Sequence, residues 1–335
     1  MNTPSWIPSI GRRSDRDGET ASSQKARPNS KQTPRTHRDL TDVRNPRLTM
    51  THRRVERVDA PDTAIGSARA MVQALPLHTG PMDRLRAALT GFAADDPLRR
   101  DASPASASRV GWILLTGLPV ALGGHPHPDL ARSLVSAWIP APSAPIVAAV
   151  NAALVMLIDH DLAVSTFAAR VAASARADGY AAVSAALGAA DSPLHVSAAT
   201  RTARLLARVR RGQEPERALA EALQEGDGIP GFGHPLYDGI DDRADALLPL
   251  LATLPDGERT MDAVRRLQQV VADRARLAPN VDLALAALAS AARLPEDTAA
   301  TVFVIGRTAG WIAHIAAEYT EPAMRLRPRG EYVGP

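Results

Sequence analysis

Residues 144–175 read APIVAAVNAALVMLIDHDLAVSTFAARVAASA. Wound as a helix, this stretch is apolar nearly all round. Such a helix belongs in the centre of a large bundle or at a subunit interface. The rest of the chain is built of the same material. Alanine and leucine dominate, aromatic residues make up only 4% and hydrophobic residues 45%. Ala and Leu are strong helix formers, and the β-branched and aromatic runs that favour strands are scarce. The fold class expected is all-α, and 335 residues suffice for roughly two domains with a sizeable core.

Outward from this stretch, apolar residues recur at helical spacing in both directions. Upstream, TAIGSARAMVQAL, PMDRLRAALTGFAADD, SRVGWILLTGLPVAL and HPDLARSLVSAWI read as amphipathic helices. Pro81 suits a helix start. Downstream follow YAAVSAALGAA, a basic helix over about 198–210, and EPERALAEALQEG, with Gly226 as its stop. DRADALLPLLATL, ERTMDAVRRLQQVVADRAR, LALAALASAARL and TAATVFVIGRTAGWIAHIAAEY complete the series. Residues 1–60 are polar and lack any apolar period. They carry 13 Lys and Arg against 7 Asp and Glu and read as a disordered basic tail. It is better read as solvated, or as an extended start before Met50, than as a nucleic-acid arm.

Composition removes several classes of chemistry. The chain has no cysteine, which excludes a disulfide framework, thiolate zinc and a cysteine nucleophile, and fits a reducing compartment such as the cytoplasm. The only lysines are Lys25 and Lys31, so the body has no Walker lysine and no Schiff-base lysine. No run reaches ~18 uninterrupted apolar residues, and the first residues lack the apolar core of a secretory signal.

The residues able to do chemistry sit at breaks or inside apolar helices. His195 ends DSPLH, His234 lies in GFGHPLY, and Asp282 follows Pro279 and Asn280. At helix boundaries, side chains can point into a cleft. His160 and Arg307 lie within apolar runs, where a charge needs a partner or an anionic ligand. Loop histidines, one aspartate and several arginines suit acid–base work on a substrate with several carboxylates. Each has a plainer reading as a capping residue, an N-cap or a structural ion pair. Ser165 and Ser197 raise a serine hydrolase, but no G-x-S-x-G elbow accompanies them. His125, His127 and His160 raise a metal site, but H-P-H spacing in a Pro- and Gly-rich turn is a poor match, and no metal is expected.

Six blocks in order resemble the citrate synthase family: IDHDLAVSTFAARVAAS, SPLH, GFGHPLY with DDR, PNVD, IGRTAGWIAH and RPRGEYVG. The resemblance covers about residues 155–335 and weakens back to about residue 80. It implies an all-α homodimer with a large helical domain (61–195 and 283–335), a small one (196–282) and an active site in the cleft between them. It also implies a condensation of acetyl-CoA, as co-substrate, with oxaloacetate to give citrate and CoA, without metal or other cofactor. Asp282 would remove the methyl proton, His195 would hydrogen-bond the enolate, and His234 would polarise the oxaloacetate carbonyl. His160, Arg243 and Arg307 would bind oxaloacetate, and Arg327 would reach in from the other subunit. Two further readings stay open: propionyl-CoA as substrate, giving 2-methylcitrate, or a dicarboxylate- or CoA-binding sensor with little turnover.

The sequence also departs from the family pattern. After His195 it reads VSAAT where the family commonly reads GGAN: Val196 and Ser197 replace glycines, so their Cβ atoms are expected to crowd the thioester, and Ala199 replaces the asparagine. Asp238 follows Tyr237 where a basic residue is common, which reverses the charge expected near the CoA phosphates.

Overall fold

The computed structural model describes residues 57–226, 228–237, 239–328 and 330. The tail read over 1–60 therefore lies outside the described residues except for its last four positions. The regular structure is helical, as expected. The first four helices are α1 (Asp62–Gln73), α2 (Pro81–Asp95), α3 (Pro104–Ala121) and α4 (Leu130–Val135), followed by α5 (Ala144–Met156), α6 (Val164–Ser174) and α7 (Gly179–Ala190). Then come α8 (Ser197–Arg210), α9 (Pro215–Gln224), α10 (Asp242–Leu247), α11 (Gly257–Ala275), α12 (Val281–Ala291) and α13 (Thr298–Glu318). Among the described residues the only β pairing is two isolated bridges, Phe232 with Pro279 and His234 with Tyr237.

Local chemistry sets the helix limits. Proline occupies the first turn of α2, α3, α5 and α9, where its missing N–H costs no helical bond. Side chains of Ser103, Asp129, Asp178, Asp241 and Asn280 accept from backbone N–H groups of the first turns of α3, α4, α7, α10 and α12. After α10 the chain tightens into a 3-10 segment, Leu248–Thr253. Pro249 explains this, since it can supply no N–H to the ladder and crowds the preceding turn.

The opening stretch departs from the single helix expected of it. It forms two helices, α5 and α6, joined by a turn that carries Asp159, His160 and Asp161. α5 ends at Met156, and within the turn Asp161 takes a left-handed conformation (φ 55°), with neither glycine nor proline present. α6 is also inverted. Its polar Ser165, Thr166, Arg170 and Ser174 are buried, while Val164, Phe167 and Val171 face outward, Phe167 being 42% exposed.

α13 is the central helix and is buried along most of its length. It packs against α3, α5, α6 and α7, and makes further contacts with α2, α8 and α12. Gly310 permits the closest approach, because a Cβ there would lie 1.8 Å from the Ile158 carbonyl oxygen. The turn bearing His160 is thereby pressed onto α13, one helical turn from Arg307. By length and composition α13 could cross a membrane, but 83% of its apolar window is buried inside the fold, as befits a core helix.

Candidate active site

Two chain segments far apart in sequence are stitched into one wall. The Gly233 N–H donates to the Ala278 carbonyl (2.8 Å), and the Asn280 N–H donates to the Gly231 carbonyl (3.0 Å). The Asn280 side-chain amide donates to the Gly233 carbonyl (2.9 Å) while its oxygen caps α12. Gly231 and Gly233 both have positive φ (83° and 76°), a path that side chains resist. This seam sets the 231–234 loop beside the first turn of α12. The result is a cavity of about 510 Å³ lined by His160, His195, His234, Arg243, Asp282 and Arg307 among others. Six of the seven site residues expected from the sequence therefore share one pocket.

His195 stands just before α8. Its Nε2 lies 2.9 Å from Ser165 Oγ, and Trp311 Nε1–H donates to the same oxygen (3.3 Å). The indole can only donate, so Ser165 accepts from it. Where the Ser165 hydroxyl gives its own proton to Nε2, His195 carries its proton on Nδ1. The Phe303 ring meets the imidazole edge to face at 5.4 Å. Burial, reinforced by Arg307 and Arg243, pulls His195 down to about 4, so the ring is neutral at pH 7.

His234 is fixed from the other side. The Leu236 N–H donates to His234 Nδ1 (3.1 Å), which leaves the proton on Nε2. Its ring lies edge-on to His160, with centroids 4.9 Å apart. His160 Nε2 meets the Tyr237 hydroxyl at 2.8 Å. Burial and the charge of Arg243 lower both histidines, His160 to about 4. Three neutral imidazoles thus share a pocket that is also lined by three arginines, Arg201, Arg243 and Arg307.

The arginines are held differently. Arg243 grips Asp241 through Nε (2.9 Å) and Nη2 (2.7 Å). The same carboxylate accepts from the Val281 N–H (3.0 Å), tying α10 to α12. Burial works against the charged form of Asp241, but these donors outweigh it and hold the carboxyl below its usual range. Arg307 is 1% exposed. It donates through Nε to the Leu157 carbonyl (2.6 Å) and lies 5.1 Å from the centre of the Phe303 ring. Its Nη1 is buried with no hydrogen-bond partner among the described residues. Burial and Arg243 pull Arg307 down to about 10, which leaves it charged at pH 7.

Asp282 sits in the first turn of α12. Burial pushes its carboxyl up to about 7; Arg243 opposes this and Asp241 adds to it. A carboxylate at that value is a far stronger base than an ordinary aspartate.

Other expectations fare differently. Arg327 lies outside this pocket, exposed on the turn after α13. Of the positions that differ from the family pattern, Val196 and Ala199 have side chains buried in the core, and Ala198 lines the pocket. Val196 is the N-cap of α8 and already has helical backbone angles (φ −63°, ψ −34°), which turns it toward the core with Ala199. Asp238 and the side chain of Ser197 lie outside the described residues. His125 and His127 lie on the turn before α4, where His127 Nδ1 accepts from the Asp129 N–H (2.9 Å).

Behind the pocket runs a buried chain of polar groups that sequence reading did not find. Arg170 Nη1 donates to His314 Nδ1 (3.2 Å), so His314 Nε2–H donates to Asp159 Oδ1 (3.3 Å). Arg170 and Arg325 both pair with Glu318 (2.7 and 2.6 Å). The chain thus links the residue beside His160 to the segment carrying Arg327. Polar residues on α6 were the available signal, but only their partners on α13 give them meaning.

Comparison with known proteins bears on the same segments. The family described as citrate synthase, C-terminal domain, matches residues 47–329. The chain is 32% identical to citrate synthase 2 of Bacillus subtilis over 197 residues, 58% of this chain and 53% of that one. It spans about half the length of that relative. It is 27% identical to 2-methylcitrate synthase 2 of Corynebacterium glutamicum, over 79% of this chain and 75% of that one. A solved ternary complex of carboxymethyl coenzyme A and oxaloacetate with citrate synthase from Thermoplasma acidophilum has a similar fold. It matches with a TM-score of 0.68 at 24% identity, covering 82% of this chain and 77% of that one.

Proposed function

Because the chain belongs to the citrate synthase family, we propose that it condenses acetyl-CoA with oxaloacetate and hydrolyses the product to citrate and CoA. The observation that carries this reading is the pairing across one pocket of Asp282, raised to about 7, with His195, lowered to about 4. An acetyl thioester is a very weak carbon acid. A base strengthened by desolvation and a neutral N–H donor for the developing enolate are the two aids its deprotonation needs.

In this scheme Asp282 takes a methyl proton and His195 Nδ1–H donates to the enolate oxygen. The electron pair of the enolate carbon forms the new bond to the oxaloacetate carbonyl carbon. His234 Nε2–H donates to that carbonyl oxygen as it gains charge. Arg307 Nη1, His160 and Arg243 take the carboxylates, and a buried Nη1 with no hydrogen-bond partner among the described residues is well suited to do so. Water then cleaves the citryl thioester, releasing CoA. No metal and no cofactor enters the scheme. Propionyl-CoA fits the same chemistry, and the likeness to a 2-methylcitrate synthase supports it as a second substrate; one methylene in a pocket discriminates by only about 1–3 kcal/mol.

Residues 196–282 form the smaller of two domains in this reading, with closure over the pocket. Leu194 and Leu236 at the pocket mouth are largely exposed, which closure on substrate would correct. The inverted face of α6 supports a homodimer, with Arg327 contributed to the neighbouring subunit's pocket. A cytoplasmic site of action agrees with the absence of cysteine.

The test is release of free thiol from acetyl-CoA by purified protein, with and without oxaloacetate. The chain has no cysteine, so it contributes no thiol of its own. Thiol release that depends on oxaloacetate supports the proposal. A folded protein that binds oxaloacetate yet releases no thiol from acetyl- or propionyl-CoA overturns it in favour of a sensor.

A further inference from the structure

A second cleft, with no lining residue in common with the first, opens where the last turns of α8 and α12 meet the first turn of α11. Its volume is about 360 Å³, within the range of small-molecule sites. Four arginines line it: Arg210, Arg211, Arg259 and Arg293. Its floor is Ala203 and Ala207 from α8 with Ala286 and Ala289 from α12, short side chains that leave a smooth surface.

The positive charge there exceeds what local partners neutralise. Asp256 pairs with Arg210, and Glu296 approaches Arg211 at 3.6 Å across two exposed side chains, a weak contact. Arg259 gives one Nη2–H to the Arg210 carbonyl (2.9 Å). Two carboxylates therefore face four guanidiniums. Arg210 is the most buried of the four, and its Nε is shut away from water without an acceptor among the described residues. Burial and the charges of Arg259, Arg211 and Arg293 lower its pKa. Helix C-termini do attract cations, for about 0.3–1 kcal/mol each at the surface. That accounts for one arginine at the end of α8 and one at the end of α12. It does not account for Arg259, which comes from the opposite end of α11, where the helix field repels a cation.

We infer that this cleft is a binding site for a small phosphate-bearing anion. A guanidinium fork matches two phosphate oxygens, and a diphosphate is long enough to engage forks on different helices at once. The alanine floor leaves room for an organic body beside the phosphates. The site lies at the far ends of the two helices that begin at His195 and Asp282. At 1.5 Å per residue, the 14 residues of α8 put the two clefts roughly 20 Å apart. The assignment stands on the second cleft alone and needs nothing from the reading of the first.

The probe is inorganic pyrophosphate, titrated calorimetrically into the full chain in 0.15 M NaCl, where loose surface attraction is screened. Saturable binding at submillimolar concentration is expected. The double variant Arg259→Gln/Arg293→Asn should weaken it at least tenfold. Both side chains are exposed, and asparagine tolerates the left-handed backbone at position 293 (φ 58°). The single variant Arg211→Gln should weaken it about threefold, which supplies a second reading if the double variant folds poorly. Wild-type affinity in these variants would overturn the site, and so would the absence of saturable binding. Citrate binding as tightly, with the same dependence on these arginines, would overturn the assignment to phosphate.

Discussion

Ser165 Oγ lies 2.9 Å from His195 Nε2 and takes the Trp311 indole N–H on its other side. The serine therefore transmits an orientation from the centre of the core to the imidazole, and fixes which ring nitrogen faces the pocket. Ser165→Ala should lower kcat roughly 10- to 100-fold while leaving the oxaloacetate dissociation constant within about twofold. It should also lower stability by about 1–3 kcal/mol, because the buried indole N–H loses its acceptor. Steady-state kinetics, oxaloacetate titration and denaturant melts read the three effects separately. An unchanged kcat would remove Ser165 from any positioning role.

Asp282→Asn should abolish turnover, with a loss of at least about 1000-fold, and leave oxaloacetate binding intact. In the parent protein kcat/KM should rise with pH through about 7 as this carboxyl ionises. The stability consequence has a definite sign. The folded pKa lies above the ordinary value of 3.8, so the native state holds a proton that the unfolded chain has lost between about pH 4 and 7. This group therefore costs increasing stability as pH rises through that window. The asparagine variant should melt higher than the parent at pH 8 and lose that advantage near pH 4. A pH series of thermal melts checks it.

Arg307→Ala should raise the oxaloacetate dissociation constant at least about 100-fold, since it removes a buried guanidinium whose Nη1 has no hydrogen-bond partner among the described residues. Arg243→Ala should do more damage to the fold. It strips Asp241 of its bidentate partner while that carboxylate still caps α10 and accepts from α12. Leaving such a charge buried and unpaired costs about 3–5 kcal/mol. Isothermal titration and thermal melts of the two variants distinguish a ligand contact from a structural pair.

Gly310→Ala should destabilise by about 3 kcal/mol or more, or displace the turn that carries His160. The added Cβ would lie 1.8 Å from the Ile158 carbonyl oxygen, and backbone on both sides cannot yield cheaply. Gly66→Ala is the control, because nothing lies within 4 Å of a Cβ at that position. It should melt at or slightly above the parent temperature.

Phe167→Glu should shift the protein from dimer to monomer at micromolar concentration, as read by sedimentation. The substitution puts charge on the outward face that Phe167 shares with Val164 and Val171. A parent protein that sediments as a monomer would remove both the dimer and the proposed role of Arg327.

Periodicity and breaks in it marked the helices and singled out His160, His195, His234, Asp282 and Arg307, while Arg243 and the convergence of all six on one pocket were only implied by the family resemblance. Apolar periodicity marks helices, and polar residues at their ends mark places where side chains can leave the core. The sequence reading missed the break inside 144–175 because the turn between Met156 and Val164, with Asp161 left-handed, contains neither glycine nor proline. It missed the inversion of α6 because periodicity reports that a helix has two faces and not which one is buried. Arg170 and Ser174 look like a solvent face until Glu318 and the chain after α13 are placed against them. Asp241 reads as one acid among several near Arg243, and only its simultaneous hold on Arg243 and on the Val281 N–H distinguishes it.

The chain from Arg170 through His314 also bears on synthesis. The two residues are 144 positions apart, so α6 leaves the ribosome well before the helix that completes it. At about 5–20 residues per second this interval is on the order of 10 s. Throughout it, neither face of α6 is satisfied: the polar side lacks Glu318 and Trp311, and the apolar side is bare. Until α13 emerges, α6 therefore exposes unpaired polar groups and apolar surface together, the condition under which incomplete chains are prone to aggregate.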